Sequence, residues 1–378
     1  MPPLGPAQAK ASVPPPTLHV ALRLFFAPPA FTQAARQKIT RRAVHGVLLL
    51  DKPLGWTSND ALQKAKWLLR AEKAGHTGTL DPLATGLLPL CFGAATKFSQ
   101  VSLDADKAYR ATLRLGQRMS TGDLEGELVE ERPVEVDRMK LDAVIAQFTG
   151  AIDQLPPMHS ALKKDGKALY EYARAGVVVE RDTRRVTLHA IDIVEWQHER
   201  LVIDVRCSKG TYIRTLAEDI GEALGCGAHL TGLRRTASGP LTLDRAVTLA
   251  ELEAMSEAER LACLQPVDSL LADWPSLALN ADEAGKFLTG LRRRVLKPDM
   301  PVLRVYGPEP GEFLGSAHLT AGELIADRLM SPVEVRALRP GATGAAEPPD
   351  PAVGATASRA APAPPSSLPD PEFSREPP

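Results

Sequence analysis

The stretch GHTGTLDPLATG, from Gly75 to Gly86, sets one imidazole and one carboxylate among three glycines. Glycines let backbone N–H groups approach an anion, but the Walker lysine and Ser/Thr are absent and the spacing is not a dinucleotide fingerprint. His76 has no partner at metal-ligand spacing and Asp81 has no companion acid in the segment, which speaks against a metal centre. A glycosidase needs two carboxylates flanking the bond it cuts. Here Asp81 stands alone, with a distant partner left open. Two readings of Asp81 remain: a single nucleophile or base, or a helix N-cap with Pro82 at the first helical position and LATGLL beginning the helix. His76 reads equally as a loop histidine held by backbone hydrogen bonds. Arg214 has a possible partner in Glu218 four residues on, and Tyr109 reads equally as a core residue of its strand.

Strands and helices alternate around that stretch, with no internal repeat. VLLL at 47–50 is a short apolar strand. TSND at 57–60 has capping-box spacing and opens a helix through ALQKAKWLLRAE that Gly75 can close. KAYRATLRLG puts Tyr109, Ala111, Leu113 and Leu115 on one face and Arg110, Thr112 and Arg114 on the other, the alternation of a half-buried strand. RMKLDAVIAQF carries Leu141, Val144, Ile145 and Phe148 on one helical stripe. RVTLHAIDIVEW and LVIDVRCS are further strands, and the second runs through Lys209 and Gly210 into a helix, TYIRTLAEDIGEALG. Its stripe is Ile213, Leu216, Ala217, Ile220 and Leu224. The charged, proline-containing segment 155–185 interrupts this regularity as an insertion projecting from the sheet. Beyond about residue 270, PVLRVYG and EFLGSAHL read as short strands of a small, separate β-rich domain.

A chain of 378 residues predicts two domains with room for tails. Residues 1–44 and 341–378, rich in Pro and Ala without a sustained period, read as disordered extensions. Hydrophobic content of 44% with 24% charged residues fits a soluble globular protein. No apolar run approaches the roughly 18 residues of a membrane helix. LHVALRLFFAPPAF is broken by Arg23 and two prolines and lacks a secretory cleavage site, so neither signal peptide nor anchor is expected. Cys91, Cys207, Cys226 and Cys263 form no CxxC pair and read as thiols in a reducing cytosol. The net charge of -1 hides an uneven distribution: residues 1–44 carry six basic and no acidic side chains, residues 341–378 two basic and five acidic. Polyanion binding depends on local patches. KWLLRAEK, with Lys64 before it, and the cluster from Lys163 to Arg185 qualify, although such runs are more often solvated faces.

Several blocks taken together go further. GHTGTLDPLATGLLPLCFGAATKFSQ resembles the signature motif of the TruB family of tRNA pseudouridine synthases. VLLLDKPLGWTSND, KAYRATLRLGQRMSTGD, HSALKKDGKALYEYAR and CSKGTYIRTLAEDIGEALGCGAHLTGLRRTASG resemble the family's other blocks in the same order, over about residues 45–250. Five ordered blocks are far more specific than a lone glycine motif. The resemblance implies an α+β protein with a pseudouridine synthase fold, a mixed, largely antiparallel sheet with packed helices, over 45–268 with a thumb insertion at 155–185. A small PUA-like RNA-binding domain at 269–340 is matched only loosely. The implied reaction isomerises a uridine in the T loop of tRNA: the base leaves C1′ at nitrogen, turns, and is rejoined through C5. It needs one well-placed carboxylate, no metal and no cofactor.

By motif position, the resemblance makes Asp81 the catalytic aspartate, attacking C1′ or removing a sugar proton on a glycal route. Arg214 pairs with it and orients it. Tyr109 stacks on the target base and is a candidate for deprotonating C5; Leu233 packs against the ring, and Tyr212 packs under Arg214 and Tyr109. His76 fills the gap left by the extruded uridine, while Lys52 and Pro53 line the rim. Lys163, Lys164 and Arg174 of the thumb meet T-arm phosphates. His159 stands where relatives often carry tyrosine. The implied partner is tRNA through its T arm, with no guide RNA and no membrane, and the protein is expected as a cytoplasmic monomer. The compact thumb and the lack of a long basic C-terminal tail favour this stand-alone form over a guide-RNA-dependent relative in a ribonucleoprotein. An RNA-folding chaperone is the reading from another class, compatible with the enzyme because opening the tRNA elbow is itself remodelling. The basic N-terminal extension is an accessory RNA arm or the product of an upstream start.

Overall fold

The computed structural model describes residues 40–339; the two proline-rich extensions fall almost wholly outside the described residues. VLLL becomes the centre of strand β1 (Gly46–Lys52), and helix α1 (Ser58–Leu68) follows. Thr57 caps α1 as the spacing predicts, its hydroxyl accepting from the Asp60 N–H. The helix stops well short of Gly75. Arg70 takes a left-handed conformation (φ 51°), Ala71 bridges to Arg42, and Gly75 is drawn into strand β2 (Ala74–His76). Val44, assigned by sequence to the extension, is buried in the core beside this bridge.

LATGLL does not begin a helix. Residues Ala84–Phe92 form strand β3, antiparallel to β1 from Gly46 opposite Phe92 to Lys52 opposite Gly86, so Asp81 caps nothing and sits in the loop before β3. Both strands are buried on both faces. Leu48, Leu50, Leu88, Leu90 and Phe92 pack with α1, while Val47, Leu49, Leu87 and Cys91 join a second cluster on the opposite side. A doubly covered strand needs no polar alternation, so its continuous apolar run suits a helix equally well by pattern alone.

Strands β4 (Lys107–Leu115), β5 (Gly150–Gln154), β6 (Arg184–Gln197), β7 (Arg200–Cys207), β8 (Ala228–Ser238) and β9 (Val247–Thr248) complete the main sheet. Its order is β9-β1-β3-β8-β4-β7-β6-β5, with β2 on β3 and Leu241–Thr242 on β8. Only β1 with β9 and β3 with β8 run parallel, so the sheet is mixed and largely antiparallel. Helices α2 (Arg138–Phe148) and α3 (Ile213–Leu224) lay their expected stripes against Ala111, Leu113 and Leu115 of β4, and Gly225 ends α3 at φ 81°. Within 155–185 a short hairpin pairs Lys163–Lys164 with Lys167–Ala168 and leads into the helix Leu169–Arg174.

The C-terminal segment is β-rich, as expected. Strands β10 (Ser276–Ala278), β11 (Arg293–Arg294), β12 (Met300–Tyr306), β13 (Phe313–Thr320) and β14 (Glu323–Leu329) form a five-stranded sheet in the order β10-β12-β13-β14-β11. Its apolar face shares one cluster with Val47, Leu49 and Phe98, and the Phe98 and Phe313 rings lie 5.2 Å apart. The C-terminal sheet thereby packs behind β1 and β3 of the main sheet.

Candidate active site

The sheet order brings the chemistry together. β3 lies beside β8 and β8 beside β4, so the loop before β3, the middle of β8 and the start of β4 converge. Tyr109 of β4 stands opposite Arg235 of β8, and Leu233 of β8 lies beside Ala84 at the start of β3. The N-terminus of α3 supplies Tyr212 and Arg214. Asp81, Tyr109, Tyr212, Arg214 and Leu233 thus line one cavity of about 180 Å³, closed on one side by Ser160 and Ala161 from the base of the thumb.

Arg214 is the anchor. Its side chain is 8% exposed, and Nη2 lies 3.0 Å from Asp81 Oδ2. Nη2 also donates to the His159 carbonyl at 2.6 Å and Nη1 to the Thr121 carbonyl at 3.4 Å. Nε faces Asp123 Oδ2 at 3.6 Å, and that buried carboxylate is held by the Thr121 hydroxyl and the Glu125 N–H. The i,i+4 pairing with Glu218 is not what forms. Asp81 itself remains 45% exposed at the mouth: a carboxylate oriented by a fixed cation yet open to substrate.

Lys52 secures the loops on either side. It is fully buried at the end of β1, and its ammonium donates to the carbonyls of Pro53 (3.1 Å), Trp56 (2.6 Å) and Pro82 (3.5 Å). Burial pulls it down to about 8, partly offset by the Asp81 carboxylate. Lys52 and Pro53 therefore brace the rim by way of backbone. His76 is part-buried on β2 with Nδ1 lacking a partner, and burial, then Arg235, pushes its pKa below the ordinary imidazole value. Tyr109 is shifted up, chiefly by burial, against a downward pull from Arg235.

The thumb cations do not join the cavity. Lys163 is exposed, Lys164 donates to the Glu180 carbonyl, and Arg174 lies 5.2 Å from the centre of the Tyr170 ring. Three residues of the site were not found by sequence reasoning. Asp123 sits inside a quoted block but reads there as one more loop acid. Ser160 gives no signal. Arg235 lies two residues beyond Leu233, hence on the same face of its strand, and that period is the one sign that could have drawn it in. Among the described residues no cluster of His, Cys, Asp and Glu is arranged to hold a metal ion, and no helix is long and apolar enough to cross a membrane.

The same fold occurs in the solved structure of an H/ACA ribonucleoprotein bound to a substrate RNA containing 2′-deoxyuridine, with a TM-score of 0.59, 24% identity, and coverage of 77% of this chain and 86% of that one. It is the pseudouridine synthase fold. Residues 66–213 match the model of the TruB family pseudouridylate synthase N-terminal domain, and residues 214–272 that of the tRNA pseudouridylate synthase B C-terminal domain. The chain is 62% identical over 303 residues to the tRNA pseudouridine synthase B of Cupriavidus pinatubonensis, covering 78% of this chain and 96% of that protein. Against the protein of that name in Verminephrobacter eiseniae it is 58% identical over 309 residues, covering 80% and 93%. The chain belongs to the TruB family of pseudouridylate synthases.

Proposed function

We propose that this chain isomerises a uridine in the T loop of tRNA to pseudouridine, without a guide RNA and without metal or cofactor. The observation that carries the reading is the solvent-open Asp81 carboxylate paired to a buried, multiply anchored Arg214 in a cavity walled by Tyr109 and Leu233. Family membership makes the chain an isomerase; the roles below are our assignment. The uridine leaves its loop and enters the cavity, stacking on Tyr109 with Leu233 against the ring. His76 takes the vacated place, and its lowered pKa lets it do so as a neutral ring near pH 7.

Asp81 then acts at the sugar, as nucleophile at C1′ or as base on a glycal route, and the N1–C1′ bond breaks. After the base turns, a bond forms between C5 and C1′ as the Asp81–C1′ bond breaks or, on the glycal route, as Asp81 returns the proton to C2′. The C5–H bond finally breaks, its electron pair restoring the ring double bond and its proton passing to the Tyr109 oxygen, while N1 takes up a proton from solvent. Lys163, Lys164 and Arg174 hold T-arm phosphates, and residues 269–340 add an RNA-contacting surface.

The test is a T-arm stem-loop carrying tritium at C5 of its uridines, incubated with the purified chain and with Asp81→Asn, with no metal, cofactor or guide RNA added. We expect tritium release from the wild type alone. Binding by both proteins with release from neither would end the enzyme reading for this substrate.

A further inference from the structure

Beside the Tyr109 wall of the cavity lies a charge that the reading above leaves without a task. Arg235 is the largest fully buried side chain among the described residues, 1% exposed. Its Nε donates to the Leu87 carbonyl at 2.6 Å and its Nη2 to the Gly78 carbonyl at 3.3 Å. It thus ties β8 to β3 and to the loop between His76 and Asp81. The backbones approach so closely here that a Cβ on Gly86, which has φ +97°, would lie 2.3 Å from the Arg235 carbonyl oxygen. A buried guanidinium is costly unless it is paired, and its usual partner is a carboxylate. Among the described residues no carboxylate forms an ion pair with Arg235.

The titratable groups around it are Tyr109, His76, Lys52 and Lys107. Two of those are cations and one an imidazole. Only Tyr109, directly opposite on the ladder, can take a negative charge. Cys207, whose thiol burial keeps protonated, and Asp81 also act on Tyr109, and the Asp81 carboxylate opposes such a charge.

We propose that Arg235 is a positioning residue for Tyr109: it fixes the phenol in the cavity and is the countercharge to its oxygen when that oxygen takes the C5 proton. The inference rests on the role given to Tyr109 above. Tyr109 enters the step as phenolate, having lost its proton to solvent, and leaves it as phenol. The C5–H electron pair goes into the uracil ring, and Arg235 keeps all its protons throughout.

Single-turnover release of C5 tritium from the T-arm stem-loop tests this with wild type, Tyr109→Phe, Arg235→Met and the double variant, each also measured for RNA affinity. Arg235→Met should slow release by about 100-fold with affinity changed less than about threefold, and the double variant should be no slower than Tyr109→Phe. Arg235→Lys should recover at least about tenfold over Arg235→Met, since it keeps the charge. The pH at which the rate levels off should rise in Arg235→Met, because removing a nearby cation raises the phenol pKa. If Arg235→Met does not fold, Arg235→Gln takes its place in the cycle. The proposal fails if loss of Arg235 slows the Tyr109→Phe protein by the factor it slows the wild type, the outcome for a merely structural arginine. Wild-type release from Tyr109→Phe would remove the role assigned to Tyr109, and the inference with it.

Discussion

The packed framework around the cavity (its floor) and the thumb are both rich in cations, and they hold them in opposite ways. On the floor, Arg214 meets two carboxylates and two carbonyls from three segments, Lys52 three carbonyls, and Arg235 two. In the thumb, Lys164 has one carbonyl, Arg174 and Lys167 lie over tyrosine rings, and Lys163 is exposed. Bond rearrangement at one sugar carbon requires groups placed to a fraction of an ångström, which backbone carbonyls of a packed sheet can enforce. Gripping a phosphate backbone requires charge that can adapt to where the phosphates lie. On the proposed reading the thumb would carry that task with little core, on a short hairpin and a six-residue helix.

The largest expected break between the two regions is Asp81→Asn. It should reduce single-turnover pseudouridine formation by at least ~10⁴-fold while T-arm affinity stays within about threefold. Weakened binding of similar size would mean that the floor also grips the RNA. Arg214→Met comes next, with a loss of roughly 10²–10³ in the chemical rate because the carboxylate loses its orienting cation. Asp123→Asn should cost about tenfold, since Arg214 keeps its carbonyl partners and Asp81. Equal losses for these two substitutions would place the rigidity in Asp123 rather than in the guanidinium.

Replacing Lys163, Lys164 and Arg174 together by Ala should do the reverse. Affinity for the T arm should fall by about 10–30-fold at low salt, and the slope of log affinity against log salt should shrink by about 2. The rate at saturating RNA should stay within about twofold. A fallen saturated rate, measured by rapid quench, would show that the thumb shapes the cavity as well as gripping its contents. Ser160 and Ala161, which close the cavity from the thumb's base, give that outcome a structural route.

How much of this could be read beforehand differs between local pattern and distant pairing. The α3 stripe, the two faces of β4 and the Thr57 cap follow from short-range periodicity, and all stand as read. LATGLLPLCF was ambiguous because β3 is covered on both faces, a fact that belongs to the helix and the C-terminal sheet rather than to the segment itself. Gly75 was a plausible helix stop until β3 claimed β2 as a neighbour. Asp81, Tyr109, Arg214 and Leu233 were picked out by their motif blocks, and the structure sets them around one cavity. Arg235 and Asp123 were not, since the carbonyls that hold Arg235 and the arginine that faces Asp123 lie on distant segments, and an arginine's worth in a core depends on the carbonyls it finds there.

The smallest expected effect tests whether a floor cation is truly a buried charge. Burial draws Lys52 down to about 8 from an ordinary value near 10.5. Below pH 8 the folded and unfolded chains both carry the proton, so the full cost of burying the charge is present. Between about 8 and 10.5 the unfolded chain still holds a proton that the folded chain has released, and stability contributed at this site rises with pH. Lys52→Met removes the titration and adds a constant loss from the freed carbonyls of Pro53, Trp56 and Pro82. The stability of wild type relative to the variant should therefore increase from pH 7.5 to 9.5, on the order of 1 kcal/mol, in paired urea melts. Taking the difference cancels the opposing contribution of the buried thiols Cys91 and Cys207, which burial pushes up and which lower stability over the same range. A difference independent of pH would mean that solvent reaches the ammonium, and the floor would then hold this cation as loosely as the thumb holds its own.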